Sequence, residues 1–451
     1  MHCCVTKGLP CVICAKLICR HAFGLRLIWY YKAFYGFGDL SAVTVVIFSP
    51  TKGMDMQSLP VRNQRSLRFL TLSQAGLFAA NGLTIPLMAN HFATLGAGPA
   101  LVGIMFAAQQ FGSLAAPYLW GLRSDRIGQR RPIIMLALGL AASAMLVIAL
   151  TRIVWLVVVA QLVLGVATAG FNAGSLALAG DLIEDATSRG RMLGFFRTTG
   201  SLAFACTAIM GGFMADTAGL WLPIVIAAIM LAIGCVAALG IREATEPVVR
   251  VPDVGTDVAS HASNFPVRTM VVYFAVVFTW FYGMGAVAWQ WPAFMHSLGY
   301  SQSLISGLWA LAAAGEVPGL ILAGFLADRW GRRPLLMTGL IGQGAIYVLY
   351  QFVAPMWGIF PLQMLRSLTY SSYETPALLV ATELGLRQRR GRLAGLYHTI
   401  AALGGVIGSM IGGQIVAGYG YAVSFTAAGM IMIVVALVVA RRLPRVVRTT
   451  V

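Results

Sequence analysis

Gly121-Leu-Arg-Ser-Asp125-Arg126-Ile-Gly128-Gln-Arg130-Arg131 follows an apolar run at 98–121, and Gly324-Phe-Leu-Ala-Asp328-Arg329-Trp-Gly331-Arg332-Arg333 follows another at 300–326. A second pair recurs in the same way. Gly190-Arg191-Met-Leu-Gly194 opens a run at 192–214, and Gly391-Arg392-Leu-Ala-Gly395 opens one at 393–417. Two different strings, each repeated six apolar runs apart, mark an internally duplicated chain.

The runs themselves lie near 68–93, 98–121, 132–151, 154–179, 192–214 and 219–241, then near 267–294, 300–326, 334–354, 357–382, 393–417 and 421–440. Each approaches the ~20 mostly apolar residues that a bilayer crossing takes. The sequence therefore predicts an all-α membrane protein of twelve transmembrane helices, arranged as two six-helix repeats; they are called spans 1 to 12 in chain order. The expected divisions are an N-terminal segment 1–65, a first bundle 66–241, a linker 242–266, a second bundle 267–441 and a tail 442–451. The linker carries Pro247, Pro252, Pro266 and four acids. Parallel repeats of this kind are related by an axis along the membrane normal, with the site between them near the midplane.

Charge placement sets the orientation. Of the 26 arginines after residue 53, 23 fall in clusters at one set of run ends, and only Arg152 lies at the other. The positive-inside rule puts the rich side, with both termini, in the cytoplasm. Composition agrees: the 451 residues are 59% hydrophobic and 10% charged, against about 25% charged in soluble domains. The net charge of +17 invites a nucleic-acid reading, but basic clusters between apolar runs are not one basic face on a polar domain.

The first 53 residues differ from the rest. They hold all four lysines (Lys7, Lys16, Lys32, Lys52) and five of the seven cysteines. The expectation is that translation starts at Met54 or Met56, and that the segment 1–65 is disordered or not part of the native protein. Mass spectrometry of the native N-terminus tests this, and a peptide from 21–50 would refute it. A lone Cys11-x-x-Cys14 is a weak metal signal, and no clean signal-peptide core precedes a small-residue cleavage site. Cys206 and Cys235 read as small core residues.

The doubled G-x-x-x-D-R-x-G-x-R-R string resembles the signature loop of the major facilitator superfamily, over about residues 66–441. The resemblance implies that superfamily's fold and alternating access. The glycines Gly121, Gly128, Gly324 and Gly331 suit close helix approach. Asp125 and Asp328 suit the positive end of a neighbouring helix. Arg126, Arg130, Arg131, Arg329, Arg332 and Arg333 suit the anionic interface. Asp181 and Glu383, at the ends of spans 4 and 10, are expected to pair with Arg126 and Arg329 or with Arg191 and Arg392. These charges read as a gate on a rocking element, or as topology anchors only.

Charges within spans cost roughly 2.5–3.5 kcal/mol each at the bilayer centre. Four stand there: Arg197 in span 5, Glu316 in span 8, and Arg366 and Glu374 in span 10. Arg366 and Glu374 are eight residues apart, about 12 Å along the axis, and so do not pair directly. His398 is the repeat mate of Arg197. Desolvation favours a neutral carboxyl and a nearby guanidinium favours the ionised form; that competition suits a proton carrier, and a static salt bridge is the alternative. On the residues alone, Glu316 ranks first and Glu374 second. The segment Ala312-Ala-Ala-Gly-Glu316-Val-Pro318-Gly-Leu-Ile-Leu-Ala-Gly324 resembles span 8 of bacterial sugar-efflux transporters. Glu374-Thr-Pro376 resembles the Glu-x-Pro of the lactose-permease group. That resemblance implies the reverse roles, with Glu316 on sugar and Glu374 on the proton, although Ser371 stands where the group has His. Both assignments stay open.

Span 5 of drug–proton antiporters ends in G-P-x-x-G-G. Here Thr207-Ala208-Ile-Met-Gly211-Gly212 and Gly408-Ser409-Met-Ile-Gly412-Gly413 keep only the paired glycines, which close helix packing also explains. Asn81 in span 1, Asn172 in span 4, and Trp280 and Tyr282 in span 7 are the candidate cavity residues, since aromatic faces and amides suit sugar rings. No Walker A, H-E-x-x-H or G-x-S-x-G string occurs. The expectation is a non-enzymatic, proton-coupled exporter of small organic solutes such as sugars, with uptake symport or multidrug export as alternatives. It needs no metal or cofactor beyond the proton gradient, binds no nucleic acid, and works as a monomer in the inner membrane.

Overall fold

The structure is a computed structural model that describes residues 61–127, 129–183, 189–243, 267–352, 356–383 and 390–440. The expected start at Met54 or Met56, the linker core and the tail lie outside these residues. The described residues form twelve helical rods with no strand among them. The first six are Val61–Thr84 continued by Met88–Thr94, Pro99–Ile127, Arg131–Leu150, Val154–Leu182, Arg189–Ala218 and Trp221–Ala238. Span 7 runs Val267–Gly283, through a π-helical turn Met284–Ala288, to Trp291–Ser297. The rest are Gln302–Trp330, Arg332–Leu349, Met356–Glu383, Arg390–Tyr419 and Tyr421–Ala440.

Spans 2 and 8 overrun their expected ends. They continue through Asp125-Arg126 and Asp328-Arg329, so these pairs lie in the last helical turns and not in a loop. Hydropathy marks the apolar slab, about 30 Å thick, whereas a 29-residue helix reaches about 43 Å. The turn after span 8 is made by Gly331 at φ 86°, a left-handed conformation that L side chains rarely take. Its N–H bonds Ala327 O at 3.1 Å, and span 9 starts at the next residue. Gly128, its counterpart, lies outside the described residues. Close approach does not explain Gly324: a Cβ there would meet no described atom within 4 Å.

Among the described residues, eight helices, in spans 3 to 8, 11 and 12, are long and apolar enough to cross a membrane by length and composition. Spans 1, 2, 9 and 10 are more polar, and several of their polar side chains are turned inward. Gln74, Gln343, Gln363 and Arg366 are all buried. Neighbouring helices, not lipid, surround those groups, which removes the penalty that composition alone assigns them. Large apolar side chains such as Leu136, Trp155, Phe213, Phe325 and Leu437 are exposed on the outer faces, where a bilayer would solvate them.

Each repeat has its own core. One cluster is built from Leu67 to Ile241 and another from Val272 to Val439. The paired glycines join the two. A Cβ on Gly211 would meet Leu83 of span 1, whereas one on Gly212 would lie 2.7 Å from Gln302 O and from Ser306 Cβ of span 8. In the other repeat, Gly412 faces Ala286 of span 7, and Gly413 would meet Pro99 O at 2.8 Å and Gly103 of span 2. Each pair thus sets one glycine against its own half and one against the other half. The seams between halves are spans 5 with 8 and 11 with 2.

Spans 1 and 7, repeat mates, both break toward the end that lacks arginine clusters. Span 1 breaks at 85–87, around Pro86, and span 7 at the π turn and 289–290. Proline removes a ladder hydrogen bond, and π turns mark departures from regular helix.

Candidate functional site

The buried charges of the second half gather between spans 8 and 10. Span 10 approaches span 8 closely, because Gly315 and Gly319 face Ser367 and Ser371. Ser371 Oγ donates to Ser367 O at 2.8 Å and to Glu316 O at 3.3 Å. The residue that stands in place of a histidine therefore holds the two helices together.

Arg366 is buried. Its guanidinium lies 4.4 Å from the ring centroid of Trp309 in span 8, and its Nη1 is 3.5 Å from Gln363 Oε1. Thr369 Oγ1 donates to Gln343 Oε1 of span 9 at 2.9 Å and to Arg366 O at 2.9 Å. The partner that the sequence required on another helix is thus an aromatic face, an arrangement that stabilises a cation. Glu316 is within electrostatic reach of both Arg366 and Glu374. The guanidinium of Arg366 thus sits on an aromatic face with the Glu316 carboxylate within electrostatic reach.

Glu374 is half-buried and electrostatically coupled to Tyr273, Tyr373 and Tyr397. Tyr273 Oη donates to Ala377 O at 2.7 Å. Trp280 stacks on Tyr373 at 3.9 Å with 6° between planes. Both glutamates precede a proline inside their helix by two residues, Pro318 and Pro376. Each proline frees a carbonyl one turn back, so both carboxylates sit where the ladder is locally interrupted.

Other expected residues fall elsewhere. Trp280 is enclosed in the second bundle and Tyr282 is buried, with Tyr282 stacked on Phe278 at 6.4 Å. Asn81 is half-buried, and Asn172 and His398 are exposed. The side chain of Arg197 lies outside the described residues, as do those of Gly121, Asp125, Arg126, Arg191, Glu383 and Arg392. Asp181 meets Arg130 Nη2 at 3.1 Å, while the side chains of its expected partners Arg126 and Arg191 lie outside the described residues. Helical continuation of span 2 carries Arg130 to the start of span 3, beside the end of span 4. Asp328 and Arg329 are exposed, and Arg332 and Arg333 are half-buried. Cys206 is exposed, not in the core, and Cys235 Sγ lies 3.3 Å from Met135 O.

Sequence reading missed two carboxylates. Glu243 accepts the N–H of Arg130 at 2.7 Å and of Arg131 at 2.6 Å, so it caps span 3. That is the role sequence reading gave to the signature aspartates, and one of four acids in a polar linker gave no sign of it. Asp216, at the arginine-poor end of span 5, accepts the N–H groups of Gln302 at 2.9 Å and Ser303 at 2.8 Å, together with the Ser303 hydroxyl. Its signal was its place four residues after Gly212, on the same helix face.

A family model described as "MFS_1 like family" matches residues 76–427. The tetracycline resistance protein, class B, of Escherichia coli is 26% identical over 72% of this chain and 78% of its own length. The multidrug resistance protein MdtG of Enterobacter lignolyticus is 26% identical over 81% of this chain and 90% of its own. Among solved structures, the nucleoside transporter NupG (D323A mutant) superposes with a TM-score of 0.71 at 14% identity, covering 84% of this chain and all of that one; this likeness concerns the fold. Relatives of this kind are transporters rather than enzymes. The chain belongs to the MFS_1-like family of the major facilitator superfamily, and it is a multi-pass membrane transporter of small molecules.

Proposed function

We propose that this chain exports small amphipathic organic solutes in exchange for protons. It would do so as a monomer in the cytoplasmic membrane, with both termini and the arginine-rich end facing the cytoplasm. The observation that carries the reading is the group of buried Arg366 with half-buried Glu316 and Glu374 between spans 8 and 10. Intramembrane ionisable groups are costly and mark ion pathways. Here the arginine is seated on Trp309, with Glu316 within electrostatic reach of both it and Glu374. One carboxylate would carry the proton and the other would meet the solute.

For the solute, the similarity to tetracycline and multidrug resistance proteins favours drug-like compounds. A sugar is the second reading, favoured by the resemblance of the Glu316 segment to sugar-efflux transporters. Asn172 and Trp280 take no part in either reading.

The test is uptake into proteoliposomes under an imposed proton gradient, with tetracycline, a cationic dye and a sugar panel. Wild type is compared with Glu316→Gln and Glu374→Gln. One solute class should move protons, and at least one variant should bind that solute without moving protons. Solute movement that ignores the gradient in wild type, or equal coupling in all three proteins, would overturn proton exchange.

A further inference from the structure

We infer that Asp216 is a latch holding the outer side of the transporter shut, and that it ties one of the two seams between the halves while the other has no such tie. This rests on the family's alternating access and on the arginine count for which side is outer, not on any substrate reading.

The chemistry begins at the start of span 8. The first N–H groups of a helix lack intrahelical partners, and the helix dipole makes that end positive. Ser301 supplies one cap, with its hydroxyl 3.3 Å from Leu304 N. The N–H groups of Gln302 and Ser303 are taken by a carboxylate from the other half of the molecule, Asp216 of span 5. The Ser303 hydroxyl donates to the same carboxylate. Charged acceptors form the stronger class of hydrogen bond, and this one crosses the line along which the halves must part.

Neighbouring contacts make the latch part of a larger closure. Gly212, one turn before Asp216, lets the span 8 backbone lie directly on span 5. Asn90 of the first half donates from Nδ2 to Gln302 Oε1 at 2.9 Å. Gln302 Nε2 lies 3.2 Å from His296 Nδ1 at the end of span 7. The short helices after the breaks in spans 1 and 7 thus meet beneath the residues that Asp216 holds.

The opposite seam lacks the device. Four residues after Gly413, in the position matching Asp216, stands Ala417. There span 11 packs on span 2 through glycine, and beside it span 7 meets span 2 through the Phe106–Trp289 stack at 5.3 Å and Gln290 Nε2 donating to Pro99 O at 3.2 Å. Those contacts are neutral. Repeat symmetry therefore supplies two similar seams, and one carboxylate makes the first the stronger. Removing it raises the outward-open population by the differential interaction it provided.

The test is access from outside. A cysteine replaces Ser306, which is fully buried at the span 5 seam, in a full-length chain whose native cysteines are changed to serine. Its reaction with a membrane-impermeant maleimide is timed in right-side-out vesicles. Asp216→Asn should speed labelling by about tenfold or more, the scale of one charge-assisted hydrogen bond. Ser303→Ala, which keeps the backbone contacts, should speed it by about threefold on the same scale. Asp216→Asn that labels no faster than the parent would overturn the latch. So would an equal acceleration by Gln290→Ala on the opposite seam. Because labelling needs no solute, it stands whether or not proton-coupled drug or sugar export is upheld.

Discussion

The two halves share a repeat but not an interior. The buried core of the first half is Leu, Ile, Val, Met, Ala and Phe, with no buried Trp or Tyr among its described core residues. The second half buries Tyr273, Trp280, Trp291, Trp309, Tyr347, Tyr350, Tyr373 and Tyr397, and it encloses Arg366 with Glu316 and Glu374 nearby. Duplication supplied the architecture twice, and side chains then diverged. Among the described residues, the first half buries amides and His91 within an aliphatic interior, whereas the second carries the group of Glu316, Arg366 and Glu374. In a rocking mechanism only one body needs to hold the charge that senses the proton, and the other can serve as the surface against which it moves.

The comparison is broken most directly by moving the chemistry. Glu316→Gln or Glu374→Gln should lower proton-coupled exchange by about 100-fold, the low end of what a positioned proton-transfer group contributes. Gln161→Leu, at the fully buried amide of span 4, should leave exchange within about threefold on the same scale. Equal losses in the two halves would end the division of labour.

Packing offers the next largest effect. Trp280→Ala removes a fully buried ring stacked on Tyr373 and should cost about 3–5 kcal/mol, read by denaturant or thermal unfolding in detergent. Trp280→Phe should recover more than half of that loss. A loss from Trp280→Ala no greater than that from an exposed ring such as Trp155→Ala would show that the aromatic core is not what stabilises the second half.

Arg366→Lys tests the aromatic seat of the cation. Lysine keeps the charge but loses the planar guanidinium, so stability should fall by about 1–2 kcal/mol and exchange should fall with it. Full retention of both would mean that charge alone is required.

Gln161 sharpens the comparison from the other side. Its amide is buried with no hydrogen-bond partner among the described residues. An unsatisfied buried polar group costs about 1–3 kcal/mol, so Gln161→Leu should raise the unfolding midpoint. A fall would show that the amide has a polar role in the first half, as hydrogen-bonded Gln74 and Asn90 do.

The smallest effect belongs to Asp181→Asn. Its ion pair with Arg130 is largely exposed, at 56% and 29%, and should be worth no more than about 1 kcal/mol after screening by solvent. A pairing worth several kcal/mol would reopen a gating role for this end of span 4.

The fold was legible because a bilayer imposes a long, repeated signal. Apolar runs near span length and two doubled strings were enough for twelve helices in two sets. Boundaries were less legible where helices leave the apolar slab, as at Asp125 and Asp328. The site was partly legible: Glu316, Arg366 and Glu374 announced themselves as charges within apolar runs. Their partners did not. That Trp309 would carry the guanidinium, and that Ser371 would bind the Glu316 carbonyl, depends on how span 8 turns against span 10. Whether a span amide such as Asn81 or Asn172 faces the cavity depends on the rotation of each helix, which a nearly uniform apolar run does not record.

What the sequence by itself determined was the number of spans, the duplication, the polarity of the two ends and the identity of the buried charges, since each is a property of composition along one dimension. What only the tertiary structure decided was which groups meet. The capping of span 3 by Glu243 and of span 8 by Asp216 joins residues 113 and 86 positions apart. Such contacts arise because helix starts leave N–H groups unpaired, and any carboxylate brought near by packing can take them. Nothing in the local sequence of either acid says which helix start it will find.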